Sequence, residues 1–322
     1  MTVRVTGATG HVGAELAALL AASGHDVRAM TRRPDRYVGP PGVRIVAGDA
    51  DDPDGLPAAF DGVDRAFLMS AQAPGAMPHP THVPRLADAA RRAGVRHLVL
   101  LSVYSGGQGS DVLADWWREV EVAVTSSGPA WTLLRPGRFM SNALQWAPQI
   151  HRGDEITIPF ARRSAASVDP ADIAAVAAVA LTSDDHEGAV YRLTGPEVMA
   201  PVEELAVLAD QLHRPLRAVE PPLAEIRTAM ARNGMPETML DAVLRRTLES
   251  DEGTEVLPTV AAVLGRPPAA FRNWATRHLD RFTERAPATE QRMTRTEPRT
   301  LRCSPPGRWS ATGHVAVSEP AP

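Results

Sequence analysis

A glycine-rich segment at residues 3–13, VRVTGATGHVG, constrains the fold more than any other part of the chain. It joins a short apolar run to the helical run AELAALL at residues 14–20. Strand, glycine loop and helix in this order begin a βαβ unit that binds a dinucleotide, whereas a purely structural glycine turn is the alternative. Gly7 permits the tight turn, Gly10 lets the backbone approach a pyrophosphate, and Gly13 allows helix and strand to pack closely. The helix N-terminus would attract the phosphates.

The overall composition narrows the choice of partners. The chain has 322 residues, of which 44% are hydrophobic and 22% charged, and its net charge is −4. These proportions are ordinary for a globular protein, and the charge gives no support for nucleic-acid binding. No secretory leader is recognisable, and the longest run of small residues, near 173–181, is too short to span a bilayer. We therefore expect a cytoplasmic monomer or homodimer with no nucleic-acid or membrane partner.

The absence of lysine limits the chemistry. All 34 basic residues are arginine, and the single cysteine is Cys303. Schiff-base catalysis, a P-loop lysine and a tyrosine–lysine acid pair are therefore impossible, even if coding bias explains the composition. One cysteine also excludes an intrachain disulfide and a thiolate metal cage.

The end of the second predicted strand, residues 27–30, indicates which dinucleotide is bound. It runs into Thr31-Arg32-Arg33, with no acidic residue at the point where NAD-selective enzymes hold the ribose hydroxyls. Arginine there suits a 2′-phosphate. We therefore predict NADP(H) in preference to NAD(H), with Arg32 as the main phosphate partner; a solvated basic loop is the alternative.

Later strands extend the predicted cofactor site. Asp49 follows a third strand and is expected beside the adenine with Ala50, although Asp49 could instead share a helix N-cap role with Asp51 and Asp52. Ligands of such sheets lie beyond the carboxyl ends of the strands. The expected cofactor-binding residues are thus Gly7, Ala8, Thr9, Gly10, His11, Val12, Gly13, Arg32, Asp49, Ala50, Met69, Ser70 and Pro136. The strands after the second are predicted at 43–47, 65–69, 95–101 and 131–134, with a short helix at 56–60.

Two groups of residues are candidates for the substrate side. Ser102 and Tyr104 follow the fifth strand, where Ser102 could hydrogen-bond a carbonyl oxygen and Tyr104 could donate a proton; each could equally satisfy local backbone groups. The residues after the sixth strand are expected to form the substrate pocket, with core packing between sheet and lobe as the alternative for the apolar ones. These are Arg138, Phe139, Met140, Asn142 and Trp146.

Other side chains are assigned to structure. A predicted helix carries Val112, Trp116, Val120 and Val124 at a spacing of four, which is typical of a core-facing stripe. His79 and His82 lie in a proline-rich loop without an obvious third ligand, so we predict no metal site.

Several segments together resemble the NmrA-like group of atypical short-chain dehydrogenases/reductases. The resemblance covers about residues 1–282 and implies an α/β fold, a doubly wound parallel sheet of the Rossmann type, with a C-terminal lobe over the nicotinamide end of the crevice. The sequence departs from the Tyr-x-x-x-Lys pattern, since Gln108 stands at the fourth position after Tyr104. The segments that carry the resemblance are TGATGHVG at 6–13, Gly48-Asp49, Glu121 before Ser127-Gly128, 131–142, 168–174, YRLTGP at 191–196 and LGRPP at 264–268.

These observations predict three regions and one leading function. The regions are a Rossmann core at 1–196 with some crossover to the lobe, a small, mainly helical substrate lobe at 197–283 and a disordered tail at 284–322. The last helix of the lobe is expected over 269–282. The resemblance implies the cofactor better than the reaction, since such proteins include reductases, sugar-modifying relatives and cofactor sensors. We expect an NADPH-dependent oxidoreductase acting on a quinone-like, enone-like or aromatic polyketide-type small molecule, because a conjugated acceptor needs only a modest proton donor. The alternatives are a non-catalytic NADP(H) sensor and, ranked lower, an isomerase or epimerase.

Overall fold

Seven short strands pair in parallel in the computed structural model, which describes residues 1–283. Counted along the chain, the strands follow one another across the sheet in the order third, second, first, fourth, fifth, sixth and eighth. The direction of winding reverses between the first and fourth strands, which is where such sheets bind their ligands. The α/β, doubly wound fold class is confirmed. The strands are β1 (Thr2–Val5), β2 (Asp26–Thr31), β3 (Val43–Ala47), β4 (Arg65–Leu68), β5 (His97–Leu101), β6 (Ala130–Pro136), β7 (Glu155–Thr157), β8 (Ala189–Leu193) and β9 (Arg217–Val219).

Helices cover both faces of this sheet. One face packs against the first and sixth helices, and the other packs against the second, third and fourth, so each face buries its own apolar cluster. No helix within residues 1–283 has the length and apolar character needed to cross a bilayer. The helices are α1 (His11–Ala22), α2 (Leu56–Phe60), α3 (His82–Arg92), α4 (Val112–Thr125), α5 (Ala147–Ile150), α6 (Pro170–Thr182), α7 (Pro201–Leu212), α8 (Leu223–Arg232), α9 (Glu237–Glu249), α10 (Thr259–Leu264), α11 (Phe271–Arg277) and α12 (Asp280–Thr283).

A third apolar cluster lies away from the sheet and combines three separate chain segments. Residues of 140–161 pack there with residues of α7, α11 and α12, and β7 pairs in parallel with β9. The segment after α9 returns to the sheet, because α10 packs on α6 through Val260. The predicted tail at 284–322, including Cys303, lies outside the described residues.

Two predicted helical features need correction. The helix expected over 269–282 is divided into α11 and α12, because His278 stacks on Trp274 and its Nδ1 lies 2.9 Å from the Trp274 carbonyl oxygen, competing with the backbone bond that would continue the helix. In α4, Trp116, Val120 and Val124 of the predicted stripe are buried, but the buried face is wider than predicted. It includes Trp117 and Glu121, and leaves Val112 42% exposed at its solvent edge.

Candidate active-site crevice

The glycine loop has the close contacts that its spacing predicts. Gly7 has φ of +61°, a conformation that favours glycine, and a Cβ added there would lie 2.4 Å from Met69 Sδ. A Cβ on Gly13 would lie 2.3 Å from the carbonyl oxygen of Gly7. Helix α1 can therefore approach the loop only if position 13 has no side chain.

The first turn of α1 can accept an anion. The N–H group of Ala14 donates to the carbonyl of Gly10 at 2.9 Å and begins the intrahelical ladder. The preceding N–H groups of His11, Val12 and Gly13 have no partner inside the helix. With no acidic side chain in this turn, they fit the pyrophosphate of a dinucleotide.

The two loop residues between Gly7 and Gly10 differ in exposure. Ala8 is buried, and its carbonyl oxygen accepts a hydrogen bond from the Tyr37 hydroxyl at 2.9 Å. Thr9 is exposed. Tyr37 thus connects the glycine loop to the segment after β2, a contact that the sequence pattern did not predict.

Cationic side chains without carboxylate partners follow β2. Arg32, Arg33 and Arg36 are exposed, and none forms an ion pair with another residue of 1–283. The backbone N–H of Arg33 donates to the Thr31 hydroxyl oxygen at 3.3 Å, which shapes this turn. The guanidinium groups are therefore available to an anionic ligand at the carboxyl end of β2.

The acidic segment after β3 differs from the predicted helix cap. Asp49 Oδ1 accepts the Asp51 N–H at 3.0 Å in a local turn, and α2 begins only after Gly55, without a side-chain cap. The alternative N-cap role for Asp49, Asp51 and Asp52 is therefore wrong, because these carboxylates precede the helix by too many residues. Ala50 is buried, and its carbonyl accepts from Arg85 Nη1 at 2.9 Å.

A crevice of about 370 Å³ lies beyond the carboxyl ends of β4, β5 and β6. The structure brings eight of the predicted site residues to its walls, namely Met69, Ser70, Ser102, Tyr104, Pro136, Arg138, Phe139 and Asn142. Other lining residues were not predicted from the sequence, among them Trp117, Arg246, Thr247 and Glu252. Trp117 could have been found from the buried face of α4, whereas the last three come from the α9–α10 region and carry no local signal.

Ser102 is tied to a buried ion pair behind the crevice wall. Its hydroxyl donates to Glu121 Oε1 at 2.6 Å. Arg135 donates to both oxygens of that carboxylate, through Nε at 2.9 Å and Nη2 at 2.6 Å. The Ser102 proton is thus directed toward Glu121, which leaves only oxygen lone pairs to face a ligand.

Tyr104 lies between an acidic and a basic residue. Its hydroxyl is 3.5 Å from Glu255 Oε2, and the guanidinium carbon of Arg192 lies 4.2 Å from its ring centroid. Burial raises the pKa of Tyr104; Arg192 opposes this, and Glu255 and Glu252 add to it. The phenol therefore keeps its proton at neutral pH.

Arg138 lines the crevice, but its guanidinium is engaged by other protein groups. It donates to Ser167 Oγ at 2.8 Å, to the carbonyls of Arg163 at 3.0 Å and Met199 at 2.7 Å, and to Glu204 Oε1 at 2.9 Å. Burial raises the pKa of Glu204, while Arg138 and Ser167 lower it. This network fastens α7 to the segment after β6.

Three predicted pocket residues have different environments. Met140 and Trp146 are 1% and 3% exposed, and they pack in the third apolar cluster rather than on the crevice wall. This corrects their assignment to the pocket: the short 3-10 helix Met140–Trp146 carries them into the lobe. Asn142 stays at the crevice, and its amide side chain has no hydrogen-bond partner among residues 1–283.

The histidines considered as metal ligands pair with carboxylates. His79 Nδ1 lies 2.9 Å from Glu119 Oε2, and His82 Nε2 lies 3.0 Å from Asp51 Oδ1. The part of the chain up to residue 283 contains no group of three or more His, Cys, Asp or Glu residues arranged to hold a metal.

Comparison with known proteins gives consistent matches. The model of a family described as NAD(P)H-binding matches residues 7–184. A (4-alkanoyl-5-oxo-2,5-dihydrofuran-3-yl)methyl phosphate reductase from Streptomyces griseus is 40% identical over 285 residues, which cover 87% of this chain and 99% of that protein. An NAD(P)H azoreductase from Xenophilus azovorans is 35% identical with the same coverage of both chains, 87% and 99%.

Solved structures share the fold. An NADPH-dependent quinone oxidoreductase from Escherichia coli superposes with a TM-score of 0.67 at 24% identity, covering 86% of this chain and 99% of that one. A nucleoside-diphosphate-sugar epimerase from Staphylococcus aureus superposes with a TM-score of 0.71 at 18% identity, covering 85% and 99%. At these identities the likeness shows the fold alone, and the chemistry of the crevice depends on the residues that line it.

Proposed function

The chain belongs to the NAD(P)H-binding family, in the NmrA-like group of atypical short-chain dehydrogenases/reductases, and from this premise we propose that it is an NADPH-dependent reductase of conjugated, electron-poor small molecules. Two relatives are named as reductases and a third, from Escherichia coli, as a quinone oxidoreductase, and the chain is accordingly an NAD(P)H-dependent oxidoreductase. The choice of NADPH and the class of acceptor are the proposed parts.

The unpaired arginines after β2 support the choice of NADPH over NADH as the cofactor. The N–H groups at the start of α1 would hold the pyrophosphate, and Arg32, aided by Arg33, would hold the 2′-phosphate. When bound, this cofactor supplies a hydride from its nicotinamide ring. The cofactor would extend along the carboxyl ends of the strands. There it would contact Met69 and Ser70 after β4 and Pro136 at the end of β6.

One observation favours a conjugated acceptor: Ser102 and Tyr104, the candidate proton donors of the crevice, are both weak ones. The Ser102 hydroxyl donates its hydrogen bond to Glu121, and burial raises the pKa of the Tyr104 hydroxyl. An isolated ketone gains much from a strong positioned acid, whereas a quinone, azo bond or enone accepts a hydride with modest help. The Streptomyces griseus relative fits this class, because its named substrate has a carbon–carbon double bond conjugated to two carbonyl groups.

The lobe and the apolar wall would complete the site. Phe139 and Trp117 provide apolar surface that excludes water, and Arg246, Thr247 and Glu252 come from residues 197–283, which supports the assignment of that region as a substrate lobe. In this proposal Tyr104 donates the proton that the reduced acceptor needs.

A panel of acceptors with the full-length protein tests the proposal. We expect steady NADPH oxidation with a naphthoquinone and with a cyclic enone. Tyr104→Phe should slow the enone reaction by on the order of 100-fold, the low end for loss of a general acid, and should affect the quinone far less. Tyr191→Phe is the matched control, because that hydroxyl bonds His186 at 2.7 Å and lies outside the crevice lining. Tight NADPH binding without oxidation in the presence of any acceptor would contradict turnover and favour the sensor alternative.

A further inference from the structure

Three charged side chains line the crevice among residues 1–283: Arg138, Arg246 and Glu252. The two arginines are neutralised by carboxylates, one buried (Glu204) and one half-buried (Asp111). Arg138 pairs with Glu204, and Arg246 pairs with Asp111 through Nε at 2.9 Å and Nη2 at 3.0 Å.

The Arg246 pair is held firmly in its ionised form. Arg246 Nη1 also donates to Ser105 Oγ at 2.8 Å, and Nη2 donates to the Gln108 carbonyl at 3.0 Å. Burial acts to raise the pKa of Asp111, but hydrogen bonds from Arg246 and the Ala114 N–H bring it down to about 2. The N–H groups of Arg246 are thus occupied by protein acceptors, so Arg246 offers little to an anionic ligand.

Glu252 differs from these arginines. Its carboxylate is exposed on the crevice wall and forms no ion pair or hydrogen bond with any described residue. Two basic groups that contact the same segment are engaged, since Arg163 Nη2 donates to the Ser250 carbonyl at 2.9 Å and Arg192 Nη1 lies 3.8 Å from Glu255 Oε2. The crevice therefore carries one uncompensated negative charge.

We propose that the crevice selects uncharged acceptors over anionic ones and that Glu252 sets this preference. The inference rests on the proposed reductase function and narrows its substrate class. A sulfonate, carboxylate or phosphate ester bound beside Glu252 is repelled by it, and neither Arg138 nor Arg246 is free to compensate. The chain thus differs from its Streptomyces griseus relative, whose named substrate is a phosphate ester.

A binding measurement separates this inference from turnover. The full-length protein saturated with NADP⁺ is titrated with anthraquinone-2-sulfonate and with uncharged 2-(hydroxymethyl)anthraquinone, two ligands of similar size. Quenching of tryptophan fluorescence reports binding, since Trp117 lines the crevice. The readout is the ratio of the Kd for the sulfonate to the Kd for the alcohol, which removes any general change in affinity.

We expect this ratio to exceed one in the native protein and to fall about threefold to fivefold in Glu252→Gln, the range for one exposed charge interaction. Glu249→Gln, an exposed neutralisation outside the crevice, should leave the ratio as it was. High salt should lower the native ratio toward that of Glu252→Gln, because screening weakens exposed charges.

Three results would overturn the inference: a ratio below one in the native protein, an unchanged ratio in Glu252→Gln, or an equal change in Glu249→Gln. Absence of binding by either anthraquinone would also contradict it. Failure of NADPH oxidation with every acceptor would instead contradict the proposed function, because the binding ratio can be measured without turnover.

Discussion

Ser102 donates its hydroxyl proton to Glu121, with 2.6 Å between Oγ and Oε1, and so faces the crevice as an acceptor. Arg135 completes the network by binding both carboxylate oxygens of Glu121. A serine at the end of β5 thus positions the wall of the crevice rather than protonating a substrate.

The two ends of this network should respond differently to substitution. Arg135 is largely buried, and Glu121→Gln removes the carboxylate that neutralises it. We expect this substitution to reduce the free energy of unfolding by about 3 to 5 kcal/mol. Ser102→Ala removes one hydrogen bond to a charged group and should reduce it by about 1.5 to 3 kcal/mol. Urea denaturation measures both values. A larger loss for Ser102→Ala than for Glu121→Gln would refute this account of the network.

Arg32 is expected to determine the choice between the two cofactors. Arg32→Ala should weaken NADPH binding by about tenfold to 100-fold, the worth of a hydrogen bond to a charged group, and should leave NADH binding nearly as it was. Fluorescence titration gives both values. Arg96→Ala is a suitable control, because this side chain is 69% exposed and lies just before β5, at the amino end of that strand, whereas Arg32 follows the carboxyl end of β2. If Arg32→Ala retains the native ratio of the two affinities, the 2′-phosphate does not lie at Arg32.

Gly13 should be intolerant of even one methyl group. In Gly13→Ala the new Cβ meets the Gly7 carbonyl oxygen at 2.3 Å, so the loop and α1 must separate. We expect a loss of about 1 to 3 kcal/mol in stability, as for other overpacked sites, with weaker NADPH binding. Gly153→Ala is the matched control, since its Cβ has no heavy atom within 4 Å. Native NADPH affinity in Gly13→Ala would show that the loop does not hold the pyrophosphate.

His97 should make stability depend on pH. Thr132 Oγ1 donates to the His186 carbonyl at 2.7 Å, so His97 Nε2 must be the donor to Thr132 at 2.9 Å, and Nδ1 is left without a partner. Burial, with a further contribution from Arg65, lowers the pKa of His97 from 6.5 to about 4. The neutral ring is the form that the folded protein favours.

The sign of this dependence follows from proton binding. Between pH 6.5 and 4 the unfolded chain binds a proton at His97 that the folded protein does not, so the free energy of unfolding falls as the pH falls through this window. The whole contribution is about 3 kcal/mol or less. His97→Asn should flatten this part of the urea-denaturation profile. A native profile that is level between these pH values would contradict the assignment.

Local patterns were enough to predict the framework. The bounds of β3 and α2 coincide with the predicted segments, and the glycine loop lies where its spacing indicates, because strand, turn and helix signals are written in adjacent residues. Trp146 shows the limit of such patterns. An apolar residue just after a strand end suits a pocket and a core equally well, and only the packing of the lobe decides that it is buried.

Long-range contacts explain the parts of the site that the sequence does not reveal. Arg138 was predicted to face substrate, but Glu204 lies 66 residues further along the chain and engages its guanidinium. Glu252 lines the crevice because the segment after α9 folds back over the strand ends, for which no local motif exists. Neutralisation of Arg138 by Glu204 becomes visible only when the fold brings these two residues together.

Transfer of deuterium tests the central claim most directly. NADPH deuterated at C4 of the nicotinamide, on one face or the other, is incubated with the full-length protein and an uncharged cyclic enone, and the product is analysed by mass spectrometry and NMR. We expect one of the two labelled cofactors to deliver a single deuterium to the β-carbon of the enone. Recovery of unlabelled enone with both cofactors, although NADPH binds, would contradict the account.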